Sequence, residues 1–342
     1  MKVQGTFPLN AQILLVGEAP GEQEVQAGRP FVGASGWMLD SLLANVGLDR
    51  SKLAITNVFQ VRPPKNDVNW FFRGKREAKG EIGPYESFGG KYLKPEWWPE
   101  PARLLEEVQA ANPKVIVALG RSALWTLTGK SKITEWRGTI VKSHSGHDVV
   151  PTYHPSAILR DYSLRPVAIS DLDKAKRHLA KPIHPQPKTV LIPESRADLD
   201  AMFQDLWAGR LVAVDVETES KQITSLSLSP APDRSYAIPI WDKRQPGWSH
   251  WTLDTEVHLW YNLLLLFREK ELVLHNGIYD LSYFNELGII PWLTPQDTMF
   301  MHHASQPELR KALGFLASLY TDNMAWKQMR IKPDHAVDKG DE

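Results

Sequence analysis

The sequence has no cysteine, which excludes disulfides, thiolate zinc sites, cysteine nucleophiles and cysteine-ligated iron–sulfur clusters. It has no surplus of charge either. Lys plus Arg and Asp plus Glu each total 40, so no global positive field gathers nucleic acid, and contact with a polyanion must rest on local basic patches. Long apolar runs are also missing: Ile13 to Val16 and Leu263 to Phe267 fall far short of the ~20 residues a bilayer-spanning helix needs. Met1 is not followed by a secretory pattern. These absences predict a cytoplasmic chain without membrane contact. What is present, 42% hydrophobic residues over 342 positions with Gly and Pro throughout, is the composition of a globular protein of about two domains.

No internal repeat is visible, but Lys181-Pro-Ile-His-Pro-Gln-Pro-Lys188 sets three prolines within eight residues. That composition predicts a linker at 183–188 between a domain over 1–182 and another over 189–342. In the first, short apolar runs at 12–17, 53–59, 115–120 and 149–153 read as buried strands, with helical patterns between them from Ser35 to Gly47 and from Pro101 to Ala111. In the second, strands are expected at 189–192 and 211–216, a hairpin over 223–240 and a strand at 271–275. Helices are expected over 196–207 and 256–269. Both halves are therefore predicted to be α/β.

The first strand runs into Gly17-Glu18-Ala19-Pro20-Gly21, and Gly28-Arg29-Pro30-Phe31-Val32-Gly33 follows before a helix. Glycines there let backbone approach a ligand. Thr56-Asn57-Val58 closes a later strand and His154-Pro155-Ser156 follows another, so polar and aromatic groups gather at strand ends, where ligands of such sheets bind. Singly, each has a plain reading: a His-Pro turn, an Asn bonding backbone, a Phe in the core. Together and in this order, with Arg62-Pro63-Pro64, they resemble the uracil-DNA glycosylase superfamily, nearest its type-4 branch, from residue 11 to about 180.

The resemblance implies an α/β/α sandwich that flips a nucleotide out of DNA, recognises uracil and stabilises the departing uracil anion. Phe31 would stack on the base. The Asn57 amide, one donor and one acceptor, would match O4 and N3–H of uracil and mismatch cytosine. His154 would donate to O2 as negative charge builds there. Glu18 would orient or activate the attacking water, with a plain capping role as the equal alternative. No cofactor is implied for this chemistry.

The type-4 branch carries an iron–sulfur cluster, and here Val61 stands before Arg62-Pro63-Pro64 where a ligand is usual. The cluster is therefore expected to be missing. Nearby, residues 66–99 hold Trp70, Phe71, Phe72, Arg73, Lys75, Arg76, Lys79, Trp97 and Trp98. Three readings stand side by side: a structural replacement for the cluster, a stacking and phosphate-binding surface for single-stranded DNA, and an ordinary surface loop. Asp171-Leu172-Asp173 with Lys174, Lys176 and Arg177 reads as a solvated helix face outside the site.

In the second half, Asp215 and Glu217 lie two apart on a strand and so face one side. Asn276 and Asp280 lie four apart and are expected on one face at a helix start. Such carboxylate sets suit Mg2+ or Mn2+, which activate water in phosphodiester cleavage. With Val212 to Thr218, Leu274 to Asp280 and Gln296-Asp297-Thr298-Met299, this half resembles the DEDD 3′→5′ proofreading exonucleases of family A DNA polymerases, a ribonuclease-H-like fold, over about 189–322. The resemblance makes Asp215, Glu217 and Asp280 metal ligands, and Asn276 and Asp297 supporting residues. It also expects a fourth aspartate preceded by Tyr or His at fixed spacing. Tyr320 is followed four residues on by Met324, and His335 five on by Gly340, while Asp334, Asp338 and Asp341 lie in a polar tail. The exonuclease site is accordingly expected to be incomplete, as a fragment or as one chain of a pair.

This domain order resembles the N-terminal part of certain bacteriophage family A polymerases. The expected function is uracil excision by a phage-type replication or repair protein in the host cytoplasm, acting on uracil-containing, single- or double-stranded DNA beside a DNA polymerase chain. Two rivals are a non-catalytic reader of such DNA and an exonuclease completed by a second chain.

Overall fold

The computed structural model describes residues 2–323 apart from 79, 82, 185, 186 and 246. Backbone proximity divides the chain into one unit of Met1–Pro185 with Gly314–Glu342 and another of Gln186–Leu313. Among the described residues no helix is long and apolar enough to cross a membrane.

The first unit runs β1 (Ile13–Gly17), α1 (Glu22–Ala27), α2 (Ala34–Val46), β2 (Ala54–Asn57), β3 (Phe72–Gly74), α3 (Lys75–Ala78), β4 (Lys91–Leu93), α4 (Pro99–Ala111), β5 (Val115–Leu119), α5 (Arg121–Thr128), α6 (Ile133–Trp136), β6 (Val141–Lys142), β7 (Asp148–Thr152), α7 (Pro155–Arg160) and α8 (Arg165–Ala180). Its main sheet has the order β2-β1-β5-β7-β6. The first four of these are parallel and β6 is antiparallel to β7. Every residue of β1 and β5 is buried, as expected where helices cover both faces of a parallel sheet. Helix α2 shows why its sequence folds so: Leu39, Leu42, Leu43 and Val46 form the buried face. It ends at Gly47, whose φ of +66° lets its N–H reach the carbonyls of Leu43 and Ala44.

The second unit runs β8 (Thr189–Leu191), α9 (Arg196–Ala208), β9 (Leu211–Glu219), β10 (Gln222–Ala231), β11 (Arg234–Pro239), α10 (Leu253–Glu269), β12 (Glu271–Leu274), α11 (Ile278–Glu286), β13 (Gln296–Asp297) and α12 (Thr298–Ser305). Its sheet is mixed, in the order β13-β12-β9-β10-β11-β8. Along β9, Val212, Val214 and Val216 are buried while Ala213, Asp215 and Glu217 are exposed, the period of two that a strand imposes. The valines join Leu199, Phe203, Leu263 and Phe267 from α9 and α10 in one core.

Two expectations need correction. The stretch Asp171 to Arg177 is not a solvated face throughout: Asp171 and Lys174 are 1% and 3% exposed. They lie on the inner stripe of α8 with Ala168, Leu172, Ala175 and His178. Burial of these charges is sustained by partners. Arg137, fully buried, donates from Nε to Asp171 Oδ2 at 2.9 Å and pairs again through Nη2, while Thr152 Oγ1 donates to the same carboxylate at 2.8 Å. Burial opposes the Arg137 charge, and the facing Asp171 carboxylate more than offsets it.

Helix α13 (Leu313–Tyr320), which the sequence groups with the second half, clusters from Gly314 onward with the first unit. Arg137 Nη1 donates to Ser318 Oγ at 2.8 Å, and Lys174 Nζ donates to the carbonyls of Gly138, Ser318 and Thr321 at 2.7, 3.0 and 2.8 Å. Lys174 thereby caps the carboxyl end of α13, where the helix dipole favours a cation. Lys79 and the tail from Met324, with Asp334, His335, Asp338, Gly340 and Asp341, lie outside the described residues.

Removing one partner of a buried ion pair leaves the other uncompensated. Arg137→Met is therefore expected to destabilise the first unit by about 3–5 kcal/mol, and Arg137→Met with Asp171→Leu by much less. Thermal or urea unfolding of the two variants measures the difference.

Candidate active site

Four of the residues singled out in the first half meet at the carboxyl ends of β1, β2 and β7, beside Gly120 at the end of β5. A Cβ built on Gly17 would overlap Asn57 Oδ1 and lie 2.6 Å from Phe31 Cζ, so the Asn57 amide and the Phe31 ring share that vacancy. A Cβ on Gly120 would lie 3.0 Å from His154 Cβ and 3.1 Å from Glu18 Oε1. Gly120 also has φ +94°, a conformation that suits only glycine. The rings of Phe31 and His154 are 5.6 Å apart between centroids, tilted by 34°.

Each side chain is held by its element. Asn57 ends β2 and is 3% exposed, and its carbonyl accepts from Arg103 Nη2 at 2.8 Å. Its side-chain amide presents N–H donors and a carbonyl acceptor at the strand end. Glu18 Oε1 accepts from the Ser122 N–H and Oγ, both at 3.2 Å. One carboxylate oxygen therefore caps the first turn of α5, and the other has no partner among the described residues. His154 precedes α7 and accepts at Nδ1 from the Ser156 N–H at 3.1 Å, with Ser156 Oγ 2.8 Å from the same nitrogen. A backbone N–H can only donate, so Nδ1 is bare and the proton of the neutral ring sits on Nε2. Burial pushes the His154 pKa below the usual imidazole value of 6.5, against the pull of Glu18 and Glu24. Ser122 and Arg103 were not legible as site residues, because each meets the site from a distant stretch of chain, whereas Ser156 stands in the His154-Pro155-Ser156 motif without its bond to Nδ1 being legible.

The segment 66–99 turns its rings inward. Phe71, Phe72 and Phe88 are buried. Phe59 stacks on Phe71 at 3.8 Å, Phe72 on Phe88 at 4.5 Å, and Trp97 meets Phe71 edge-on at 4.9 Å. Such pairs add about 0.5–1.5 kcal/mol each beyond area burial. Trp70, 39% exposed, is the exposed ring among the described ones, while Lys75 and Arg76 face solvent. The result is a packed aromatic lobe with a cationic skin, rather than a row of open rings for stacking bases.

In the second unit the expected carboxylates are partly dispersed. Asp215 and Glu217 share the exposed face of β9. Asp280 is 5% exposed, and its Oδ1 accepts from the Val216 N–H at 3.0 Å. The reason is geometric: β12 pairs with β9 only as far as Ala213, and Asp280 satisfies the Val216 N–H beyond it. Burial, with Asp215 nearby, raises the Asp280 pKa above the usual carboxylate range. Asn276 does not share a helical face with Asp280. It precedes Gly277, the N-cap of α11, at φ +61°. Asp297 accepts from the N–H groups of Asn276 at 3.2 Å and Gly277 at 2.7 Å, and caps α12 through Met299. Among the described residues no group of three or more His, Asp or Glu is set to hold a metal ion, so Asp215, Glu217 and Asp280 do not form a three-carboxylate metal cage here.

In the first unit Glu18, Phe31, Asn57 and His154 gather at the carboxyl ends of a parallel sheet, and the chain belongs to the uracil DNA glycosylase superfamily, whose family model matches residues 4–180. The chain is similar to the type-4 uracil-DNA glycosylase of Thermotoga maritima, 37% identical over 183 residues that make up 52% of this chain and 83% of that one. It is also similar, at 24% identity over 88% of its length, to a DNA polymerase of Bacillus phage SP01, of which it spans 33%. A solved structure, the Nibbler EXO domain of Aedes aegypti, covers 44% of this chain and 77% of that one with TM-score 0.34 and 15% identity.

Two substitutions test this geometry. Gly120→Ala should cost about 1–3 kcal/mol through its positive φ and displace the His154 ring signal in a histidine NMR spectrum. Gly146→Ala, at φ +84° with open space around it, should destabilise without moving that signal. Asp280→Asn keeps an acceptor for Val216 and removes a buried charge. Because the folded pKa of Asp280 is raised, its stabilising contribution is full below the unfolded carboxylate pKa near ~4 and is lost as pH rises through the folded pKa. The melting temperature of Asp280→Asn relative to the parent should therefore rise between pH 4 and pH 8.

Proposed function

We propose that this protein excises uracil from DNA by hydrolysing the N-glycosidic bond without a metal ion. The observation that carries this reading is the placement of His154, whose Nδ1 accepts from the Ser156 N–H and so leaves Nε2 to carry the proton of a neutral ring, 5.6 Å between centroids from Phe31. DNA containing uracil is the substrate, and the nucleotide is flipped so that Phe31 stacks on the base. Asn57 pairs with O4 and N3–H. As the C1′–N1 bond breaks, the electron pair moves onto uracil, and His154 Nε2–H donates to O2, where the charge collects. Water adds at C1′, oriented by the free oxygen of Glu18, and loses a proton to solvent.

The second unit we read as an appended proofreading-exonuclease-like module. Asp215, Glu217 and Asp280 are hard oxygen donors of the kind that suit Mg2+ or Mn2+, but among the described residues they do not gather into a group able to hold such an ion. Asn276 and Asp297 shape the turn beside them. The 24% likeness along most of the chain to a phage DNA polymerase supports placing the protein in phage replication or repair with a polymerase chain as partner.

Uracil release from labelled single- and double-stranded DNA in EDTA is the deciding assay. The parent is expected to release uracil, and His154→Ala and Asn57→Ala to lose about 10²–10³-fold, as for removal of a donor to a developing oxyanion. Since catalysis needs the neutral ring and the His154 pKa is depressed, the rate should hold from pH 8 to below 6.5 and fall only as pH drops through that lowered pKa. Retained binding of uracil-DNA without release by the parent would make the domain a reader and sink the hydrolase assignment.

A further inference from the structure

The ring of Phe31 stands in the site, yet its backbone is in a place a bulky side chain rarely occupies. Its φ is +55°, in the left-handed region that β-carbon sterics disfavour for residues other than glycine. Such a conformation persists only where the surroundings over-determine it, and here the peptide groups on both sides of Phe31 are gripped by charged side chains. The Phe31 N–H donates to Glu24 Oε1 at 2.5 Å, and the same carboxylate accepts from the Gly21 N–H. The Phe31 carbonyl accepts from Arg50 Nη2 at 2.7 Å, and the same nitrogen reaches the Pro30 carbonyl at 3.1 Å. Arg50 Nη1 is anchored at 2.6 Å to Asp40 Oδ1 on α2. On the other side of the carbonyl stands Gly36, where any Cβ would overlap the Phe31 carbonyl.

From this geometry we infer that Arg50 is a positioning residue of the uracil site: its guanidinium locks the Phe31 peptide in the left-handed conformation and so fixes the stacking wall. Arg50 touches no group assigned to the chemistry. It lies seven residues before Asn57 in the segment that leads into β2, so one cation ties the start of the base-reading strand to the loop that carries the ring. The task requires a planar fork, because Nη2 bonds two adjacent carbonyls while Nη1 bonds a carboxylate at the same time. A lysine ammonium reaches one such group as a point charge and does not hold the angle between them. The inference rests on the reading of Phe31 as the uracil-stacking ring, but the conformational claim can be measured without uracil.

The test uses the full chain labelled with fluorophenylalanine, the Phe31 resonance being assigned by its disappearance in Phe31→Leu. In Arg50→Met that resonance is expected to shift or broaden, and in Arg50→Lys to move less, with each protein still folded by its thermal transition. An unmoved resonance in a folded Arg50→Met overturns the proposal whatever the activity. The second readout is affinity for free uracil and uracil release. Arg50→Met is expected to weaken uracil binding at least tenfold while leaving binding to uracil-free DNA within twofold. Placed in a Phe31→Ala background, Arg50→Met should add no further loss, as required of a residue that acts through the ring. Independent, multiplying losses would contradict it. A displaced Phe31 signal in Arg50→Met, together with a parent that neither binds nor releases uracil, would sustain the positioning role and refute the uracil reading of the site.

Discussion

The candidate active site depends on two places where no side chain fits. Strands β1 and β5 are neighbours in the sheet, and the first ends on Gly17 while the second is followed at once by Gly120. The volume left by the missing Cβ of Gly17 is taken by Asn57 and Phe31, and that of Gly120 by His154 and Glu18. Each vacancy serves a pair, so the four groups are set by two backbone positions rather than by four separate accommodations. That economy is available because the sheet is parallel: consecutive carboxyl ends lie side by side, and the segments leaving them converge on one rim.

Around this rim the chain solves a problem of support. A glycosylase unit of the type-4 kind without cysteines has no metal cluster to pin the region after β2. Here Phe59, Phe71, Phe72, Phe88, Trp97 and Trp125 pack into the same core as β1 and β5. Aromatic rings suit the role since each brings a large rigid surface and few rotatable bonds. Polar pairing does comparable work elsewhere. Arg137 with Asp171, and Lys174 on the carbonyls of α13, bring the last described helix against the first unit, so the glycosylase-like unit is discontinuous in sequence.

Much of this was legible in the residues. The four motifs were legible because each stands at or just past a strand end, and the structure brings Glu18, Phe31, Asn57 and His154 together there. Element types followed from period and punctuation, as in α2 with Leu39, Leu42, Leu43 and Gly47. What escaped was of two kinds. Charged residues on α8 look solvated in sequence, and Asp171 and Lys174 are buried only because Arg137, Thr152 and residues 318–321 meet them from far along the chain. Pair partners of that sort leave no local pattern. Likewise Ser122, Glu24 and Arg50 hold the site by bonding backbone or a capped carboxylate, and a residue that bonds backbone needs no motif of its own. Asn276 was misplaced on α11 because a left-handed residue before a helix start is not announced by composition.

The two candidate sites differ in how far their polar groups are committed. In the first unit the supporting bonds go to Nδ1 of His154, to Oε1 of Glu18 and to the backbone carbonyl of Asn57. This is preorganisation, with orientation fixed. In the second unit Asp280 binds the Val216 N–H because β9 outruns its neighbour β12, and Asp297 is taken up by four backbone N–H groups across two turns. Both oxygens of Asp297 are thereby spent on the fold, while the Val216 N–H engages only Oδ1 of Asp280. A cation drawn to Asp215 and Glu217 would not have to displace the Val216 N–H, which engages Oδ1 of Asp280 and not Oδ2; what sets the second unit apart is that, among the described residues, its carboxylates do not gather into one metal-holding group.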